Sequence, residues 1–165
     1  EQAAVDKMAQ DILDAIAALE LKQLISSTNH NVIVDNTKML IVITTENLED
    51  VLNCLDGGGY TVSITPNKNG IYSTGSTVEL IAPKTRSAGA EYMIASLGDI
   101  NGDGKADGED AFLINLYLNS DLQAEEYMKA AYDADCSGII DAEDVALLER
   151  VGLCTDVIIN TYTES

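Results

Sequence analysis

Between Asp99 and Asp110 the chain reads Asp-Ile-Asn-Gly-Asp-Gly-Lys-Ala-Asp-Gly-Glu-Asp, with oxygen-bearing side chains at positions 1, 3, 5, 9 and 12 of a twelve-residue stretch. Those residues are Asp99, Asn101, Asp103, Asp107 and Asp110, and position 6 is Gly104. This spacing curls a loop around one hard cation. Calcium takes oxygen donors in a flexible shell, position 7 adds its backbone carbonyl (Lys105), and glycine takes the sharp bend at position 6. A second copy starts 34 residues later with Asp133, Asp135, Ser137, Asp141 and Asp144, with Gly138 at position 6 and the Ile139 carbonyl at position 7. Ser137 is a weaker ligand than a carboxylate, so the second loop is expected to bind less tightly. Two such loops in tandem predict two Ca²⁺ sites.

Both loops depart from an ordinary EF-hand, because position 12 is Asp instead of a bidentate Glu and no helix obviously leads in. Each is followed by one helix-like segment, 111–118 and 145–151. This duplicated loop–helix unit, with the phrase Leu97-Gly-Asp-Ile-Asn-Gly-Asp-Gly104, resembles a dockerin over about residues 98–155. Dockerins are calcium-dependent modules that plug enzymes and scaffolding proteins into cohesin modules in the cellulosomes of fibre-degrading anaerobic bacteria. The resemblance implies a non-enzymatic assembly module in an extracellular, cell-surface or secreted complex, with a cohesin as one-to-one partner. It also implies a docking face of Gly108, Glu109, Phe112, Asn115, Leu116 and Asn119 in the first repeat, and Ala142, Glu143, Ala146, Glu149 and Arg150 in the second. Many dockerins have near-identical halves and bind in two orientations. Here Asn115-Leu116 stands against Glu149-Arg150, which predicts one dominant orientation. The first helix is apolar nearly all round, so Phe112 and Leu116 read equally well as docking anchors or as core.

Upstream, residues 3–22 place Val5, Met8, Ile12, Ala15, Ile16 and Leu19 at helical spacing, an amphipathic helix. Ser26 to His30 reads as a polar break. Five short β-branched runs follow, 32–34, 40–43, 60–64, 76–81 and 92–95, separated by turn residues such as 57–59 and 66–70. Between the second and third runs, Asn47 can cap a short helix with Leu48, Val51, Leu52 and Leu55 on one face, ended by Gly57. The expected fold is α+β: a helix over 1–25, a small β-rich, Ig-like or X-module-like domain over 26–97, and a three-helix dockerin over 98–165. The β-rich part resembles, more loosely, the X modules that precede dockerins and act as buttresses. Ser96-Leu97-Gly98 runs into Asp99 without a Pro, Gly or Ser-rich linker, which predicts a rigid pair. A middle helix is expected over 122–132, capped by Ser120 or Asp121, with Leu122, Tyr127, Met128 and Ala131 between the outer two. The tail has a β-like core, Val157 to Ile159, folding back on the first loop or onto the β-rich part.

Composition narrows the function classes. The formal charge is −19, and the acid concentrates in the half that carries the loops. Nucleic acid and anionic membrane surfaces require basic patches, so neither is an expected partner. No run approaches the roughly 18 apolar residues of a membrane span, and the chain opens without a basic-then-apolar leader, so it reads as a piece of a longer protein. His30 is the single histidine and sits in the polar break, and no nucleophile signature accompanies it. Cys54, Cys136 and Cys154 form neither a zinc pattern nor a disulfide framework. With no Trp and one Phe, sugar stacking is poorly served, and Tyr60, Tyr72 and Tyr92 read as core or edge packing ahead of a stacking platform. The alternative to an assembly module is a calcium-stabilised spacer of a surface protein, and after it a carbohydrate-binding or enzymatic fragment.

Overall fold

The computed structural model describes residues 2–21, 25–44, 51, 53–82 and 88–163. It opens with α1 (Gln2–Leu21), the expected amphipathic helix, in which Lys7 pairs with Asp11 one turn on at 3.0 Å. Val5, Met8 and Ile12 of its apolar stripe are exposed. No helix among the described residues is long and apolar enough to cross a membrane.

The described strands are β1 (Ser26–Ser27), β2 (Val32–Asp35), β3 (Leu40–Ile43), β4 (Leu55–Asp56), β5 (Thr61–Thr65), β6 (Thr77–Ile81) and β7 (Ala88–Ser96). The five longer ones coincide with the five predicted runs. Strands β1 and β4 pair with each other, which corrects the reading of Ser26–His30 as a plain break and of Leu55 as a helix residue. Two-residue strands have no period of their own to detect. Of the helix expected after Asn47, residues Val51, Asn53 and Cys54 are helical, and Asn47, Leu48 and Leu52 lie outside the described residues.

The longer strands form one mixed sheet in the order β2-β3-β7-β6-β5. Asp35 sets the β2–β3 turn, its Oδ1 accepting the N–H groups of Thr37 and Lys38 at 3.0 Å each. Strand β3 pairs parallel with β7, while the other neighbours are antiparallel. Its four residues are all buried, because both faces are covered, which explains an apolar run without alternation. Ile41 and Ile43 join Val32, Val34, Val78, Leu80, Tyr92 and Ile94 on one face. Leu40 and Val42 join Ala95, Leu97 and Ala131 on the other. The tyrosine platform does not form: Tyr92 is a core residue bonded to Asn36 at 2.6 Å, Tyr60 packs on the core, and Tyr72 is exposed.

Three helices follow the sheet, α2 (Gly108–Leu118), α3 (Glu126–Tyr132) and α4 (Ala142–Gly152). Helices α2 and α4 share a core of Ile114, Leu147 and Leu148 with Ile100, Tyr132 and Ala134. The middle helix is shorter than expected. The Ser120 hydroxyl is engaged by the Tyr117 carbonyl at the end of α2, Glu125 stands at the α3 N-cap without a side-chain bond, and Leu122 is exposed. Nor does α3 lie only between the outer helices. Tyr132 and Met128 face the helical core, whereas Ala131 and Tyr127 face the sheet.

The passage from sheet to first loop is tight. Leu97 N–H bonds the Ile43 carbonyl at 2.8 Å, Gly98 N–H the Ala131 carbonyl at 2.9 Å, and Asp99 N–H the Ser96 carbonyl at 3.1 Å. Gly98 has φ +79°, and a Cβ there would lie 2.6 Å from both Leu148 and Ile158, so only glycine fits. The tail, expected to be β-like over Val157–Ile159, is not a strand. Ile158 packs inward while Val157 and Ile159 are exposed. Beyond it, Asn160 bonds the carbonyls of Asn31 and Val42 at 3.2 Å each, and the Tyr162 hydroxyl bonds Asp35 at 2.9 Å.

Candidate functional site

The two acidic loops are alike in geometry and share a set of local bonds. Asp107 and Asp141 are N-caps of α2 and α4, with φ/ψ of −149°/−164° and −148°/−164°. Each makes a reciprocal capping box with the aspartate three residues on, Asp110 or Asp144. That aspartate reaches back across the loop: Asp110 Oδ1 accepts Asn101 N–H at 3.1 Å, and Asp144 Oδ1 accepts Asp135 N–H at 3.3 Å. At position 6, Gly104 N–H donates to Asp99 at 3.0 Å and Gly138 N–H to Asp133 at 2.9 Å, with φ +85° and +84°. At position 3, Asn101 Oδ1 accepts Asp103 N–H at 2.8 Å and Asp135 Oδ1 accepts Ser137 N–H at 2.9 Å. The position-12 aspartates are thus structural as well as acidic.

The geometry gathers carboxylates where water cannot fully reach them. Asp99, Asp110 and Asp144 are buried, and ligand oxygens of Asp133, Asp135 and Asp144 lie within 4.8 Å of one another. Burial pushes the Asp110 and Asp144 carboxyls up to about 6 against the lowering pull of their backbone N–H donors, with neighbouring aspartates adding to the rise. Asp99 is raised by burial, opposed by the Ser73 hydroxyl and the amides of Gly104 and Gly102. Asp133 is raised by burial and by Asp135, opposed by the amides of Gly138 and Ser137. Asp133 Oδ1 is buried without a hydrogen-bond partner. An orphaned buried oxygen inside a carboxylate triplet is the environment that a divalent cation satisfies, and the all-oxygen donor set suits calcium. Asp133, Asp135, Ser137 and Asp144 would hold it in the second loop, and Asp99, Asn101, Asp103 and Asp110 in the first. Asp107 and Asp141 stand at position 9, and the Lys105 and Ile139 carbonyls at position 7. The Ile139 carbonyl is bonded to the Ser137 hydroxyl at 3.1 Å. A bound ion would supply the positive charge that lets these carboxylates stay ionised side by side.

Phe112 is 67% exposed and Leu116 49%, so neither is core. They stand one turn apart on α2 beside Asn115 and Asn119, which bond to each other, and beside exposed Gly108 and Glu109. On α4, Ala142, Glu143, Glu149 and Arg150 are exposed and Ala146 is half-buried. Arg150 is not free: its Nε pairs with Asp156 at 2.9 Å and its Nη1 bonds the Ala146 carbonyl at 3.0 Å. His30 is exposed, and the three cysteines are free thiols, Cys54 buried. Sequence reasoning missed Asn67, Asn69 and Ser73, which touch the first loop from the β5–β6 connection. They lie some 25–35 positions upstream of their partners, and a Pro-Asn-Lys-Asn-Gly stretch signals only a turn.

A duplicated loop–helix unit with an acidic twelve-residue loop before each of two packed helices defines a calcium-binding module of the EF-hand kind. Residues 97–151 match the family model of the dockerin type I domain, and this segment of the chain is a dockerin module. Dockerins are non-catalytic, bind calcium, and assemble proteins by binding cohesin modules. The match covers 55 of the 165 residues. No curated protein and no solved structure matches the chain.

Proposed function

We propose that the chain is a calcium-dependent assembly module: residues 98–165 bind one cohesin, and residues 26–97 serve as a rigid X-module-like support. Together they anchor a parent protein in an extracellular, cellulosome-like complex. The observation that carries this reading is the apolar pair on α2. Phe112 and Leu116 lie outside the helical core, on a face that the sheet does not cover. Exposed apolar side chains flanked by polar ones are the usual anchors of a recognition surface. Two ions, one per loop, would act through folding, since eight loop aspartates repel one another without them. The spacer alternative requires that strip to be covered, so its exposure favours recruitment.

The test is calorimetry with a panel of cohesins, with calcium and with chelator. Tight one-to-one binding that vanishes in chelator is expected. Phe112→Ala or Leu116→Ala should weaken it by about 1–4 kcal/mol while leaving calcium affinity intact. Full affinity in both variants would move the interface to α4, and no binder in a broad panel would favour the spacer.

A further inference from the structure

The β5–β6 connection buries an unusual number of polar side chains: Asn67, Ser73, Thr74 and Ser76. Buried polar groups are costly unless bonded, so their partners identify what they do. Ser76 Oγ and Asn67 Oδ1 organise the connection itself, accepting Ser73 N–H at 3.0 Å and the N–H groups of Asn69 and Ile71 at 3.0 and 3.1 Å. The Ser76 hydroxyl donates to the Ile71 carbonyl and the Thr74 hydroxyl to the Ser96 carbonyl at the end of β7, while three other donors point into the first acidic loop. Asn67 Nδ2 donates to the Gly102 carbonyl at 2.8 Å, Asn69 Nδ2 to the Asn101 carbonyl at 3.2 Å, and the Ser73 hydroxyl to Asp99 Oδ2.

The second loop shares several of these internal bonds but lacks this embrace. A Cβ built on Gly104 would meet Ile71 at 3.4 Å, whereas one on its counterpart Gly138 would meet nothing within 4 Å. A Cβ on Gly102 would lie 2.8 Å from Asn67 Nδ2, so the connection is seated directly on the loop backbone. Asp99 Oδ2 accepts the Ser73 hydroxyl beside the Gly104 amide, whereas Asp133 Oδ2 accepts the Gly138 amide. Asp99 Oδ1 is held by its own loop's Gly102 and Asp103 amides, and Asp133 Oδ1 has no partner.

We propose that Ser73, backed by Asn67 and Asn69, is a positioning residue for the first calcium loop, coupling ion binding there to the β5–β6 connection, whereas the second loop meets the sheet through the apolar packing of Cys136 and, among the described residues, has no such side-chain donor on its first aspartate. This rests on the reading of residues 99–110 as a calcium site. Partners that orient a ligand carboxylate reduce the ordering it must undergo when the ion arrives, and removing one typically lowers affinity about 10–100-fold. Coupling is reciprocal, so calcium at the first loop stabilises the sheet that holds Ser73.

The experiment is a calcium titration of the full chain, followed at the amide resonances of Gly104 and Gly138, one in each loop. Ser73→Ala should weaken the Gly104 transition about tenfold or more and leave that of Gly138 within about twofold. Asn69→Ala removes an exposed side chain whose bonds go to the loop, so it tests the same coupling without risk to the core, and it should weaken Gly104 alone by a smaller factor. Thr74→Val loses bonds to the Ser96 backbone at the end of β7, whose carbonyl also accepts the Asp99 N–H, so it reaches the loop one bond further away and should weaken Gly104 less than Ser73→Ala does. Equal weakening at both glycines, a Gly104-selective loss in Thr74→Val as large as that in Ser73→Ala, or unchanged Gly104 affinity in Ser73→Ala and Asn69→Ala would overturn the proposal. If Gly104 in the wild type does not respond to calcium while Gly138 does, the calcium reading of the first loop fails, and the proposal with it.

Discussion

Cys154 shows how a single residue can work against its own helix stop. After α4 the Cys154 N–H bonds the Val151 carbonyl at 2.8 Å and the Thr155 N–H bonds the Arg150 carbonyl at 2.9 Å, the paired bonds of a Schellman motif. That motif requires a left-handed residue, and Cys154 has φ +55° where glycine is the usual occupant. Its side chain is exposed. The left-handed conformation costs a non-glycine residue about 1–2 kcal/mol, partly offset by the larger unfolded-state entropy of glycine. Cys154→Gly should therefore stabilise the calcium-loaded protein by about 0.5–1 kcal/mol, read as a higher denaturant midpoint at unchanged slope. A lower midpoint would mean that the thiol makes contacts the exposed position does not suggest. Phe112 and Leu116 carry the opposite lesson. Every residue from Ala111 to Leu118 except Asn115 is apolar or aromatic, so periodicity could not say which face is core. Only the packing of Ile114 against Leu147 and Leu148 assigns it.

Among the elements, the tail does more than its sequence suggests. Its apolar run predicts a strand, yet it crosses the molecule as a strap, Ile158 inward and Asn160 and Tyr162 bonded to the β2–β3 hairpin. Asp35, the far anchor, is buried, which alone would raise its pKa. The amides of Lys38 and Thr37, the Tyr162 hydroxyl and the Lys38 charge outweigh burial and hold it below the ordinary carboxylate value. A carboxyl depressed in the folded state contributes stability that is complete above its unfolded pKa, near 4, and disappears as pH falls through the lower folded value. Tyr162→Phe should cost about 1.5–3 kcal/mol at neutral pH, as for a buried bond to a charged group. The gap between wild type and variant should narrow as pH drops below about 4, measured by denaturation at each pH. A gap independent of pH would show that the bond does not depend on the ionised carboxylate.

At the scale of the molecule, the sheet and the helices meet through a shared apolar layer. Leu40, Val42, Ala95 and Leu97 on the sheet side face Ala131 and Tyr127 of α3, and burying side chains of this size is worth about 1.5–3 kcal/mol each. With the short passage at Gly98 and the strap behind it, the two parts are expected to tumble as one body. Amide relaxation should give one correlation time for residues 32–43 and 108–152, and two times would refute it. The proposed docking faces of the two repeats are also unequal. Phe112 and Leu116 are presented openly on α2, whereas Arg150 on α4 is committed to Asp156 and the Ala146 carbonyl. On the proposed function, one dominant cohesin orientation is expected. Comparable affinities for two orientations related by the internal two-fold, measured with variants that disable one face at a time, would contradict it.

The sequence by itself determined the two acidic loops, the helix after each, the five principal strands and the dockerin assignment, because these depend on spacing within a dozen residues or on an uninterrupted β-branched run. The tertiary structure alone decided that β3 is covered on both faces, that α3 is shared between sheet and helices, and that Ser73 and Asn67 hold the first loop. Each of those depends on contacts between residues more than a dozen positions apart. Local propensity carries no record of such pairings, since they exist only once burial has drawn the distant segments together.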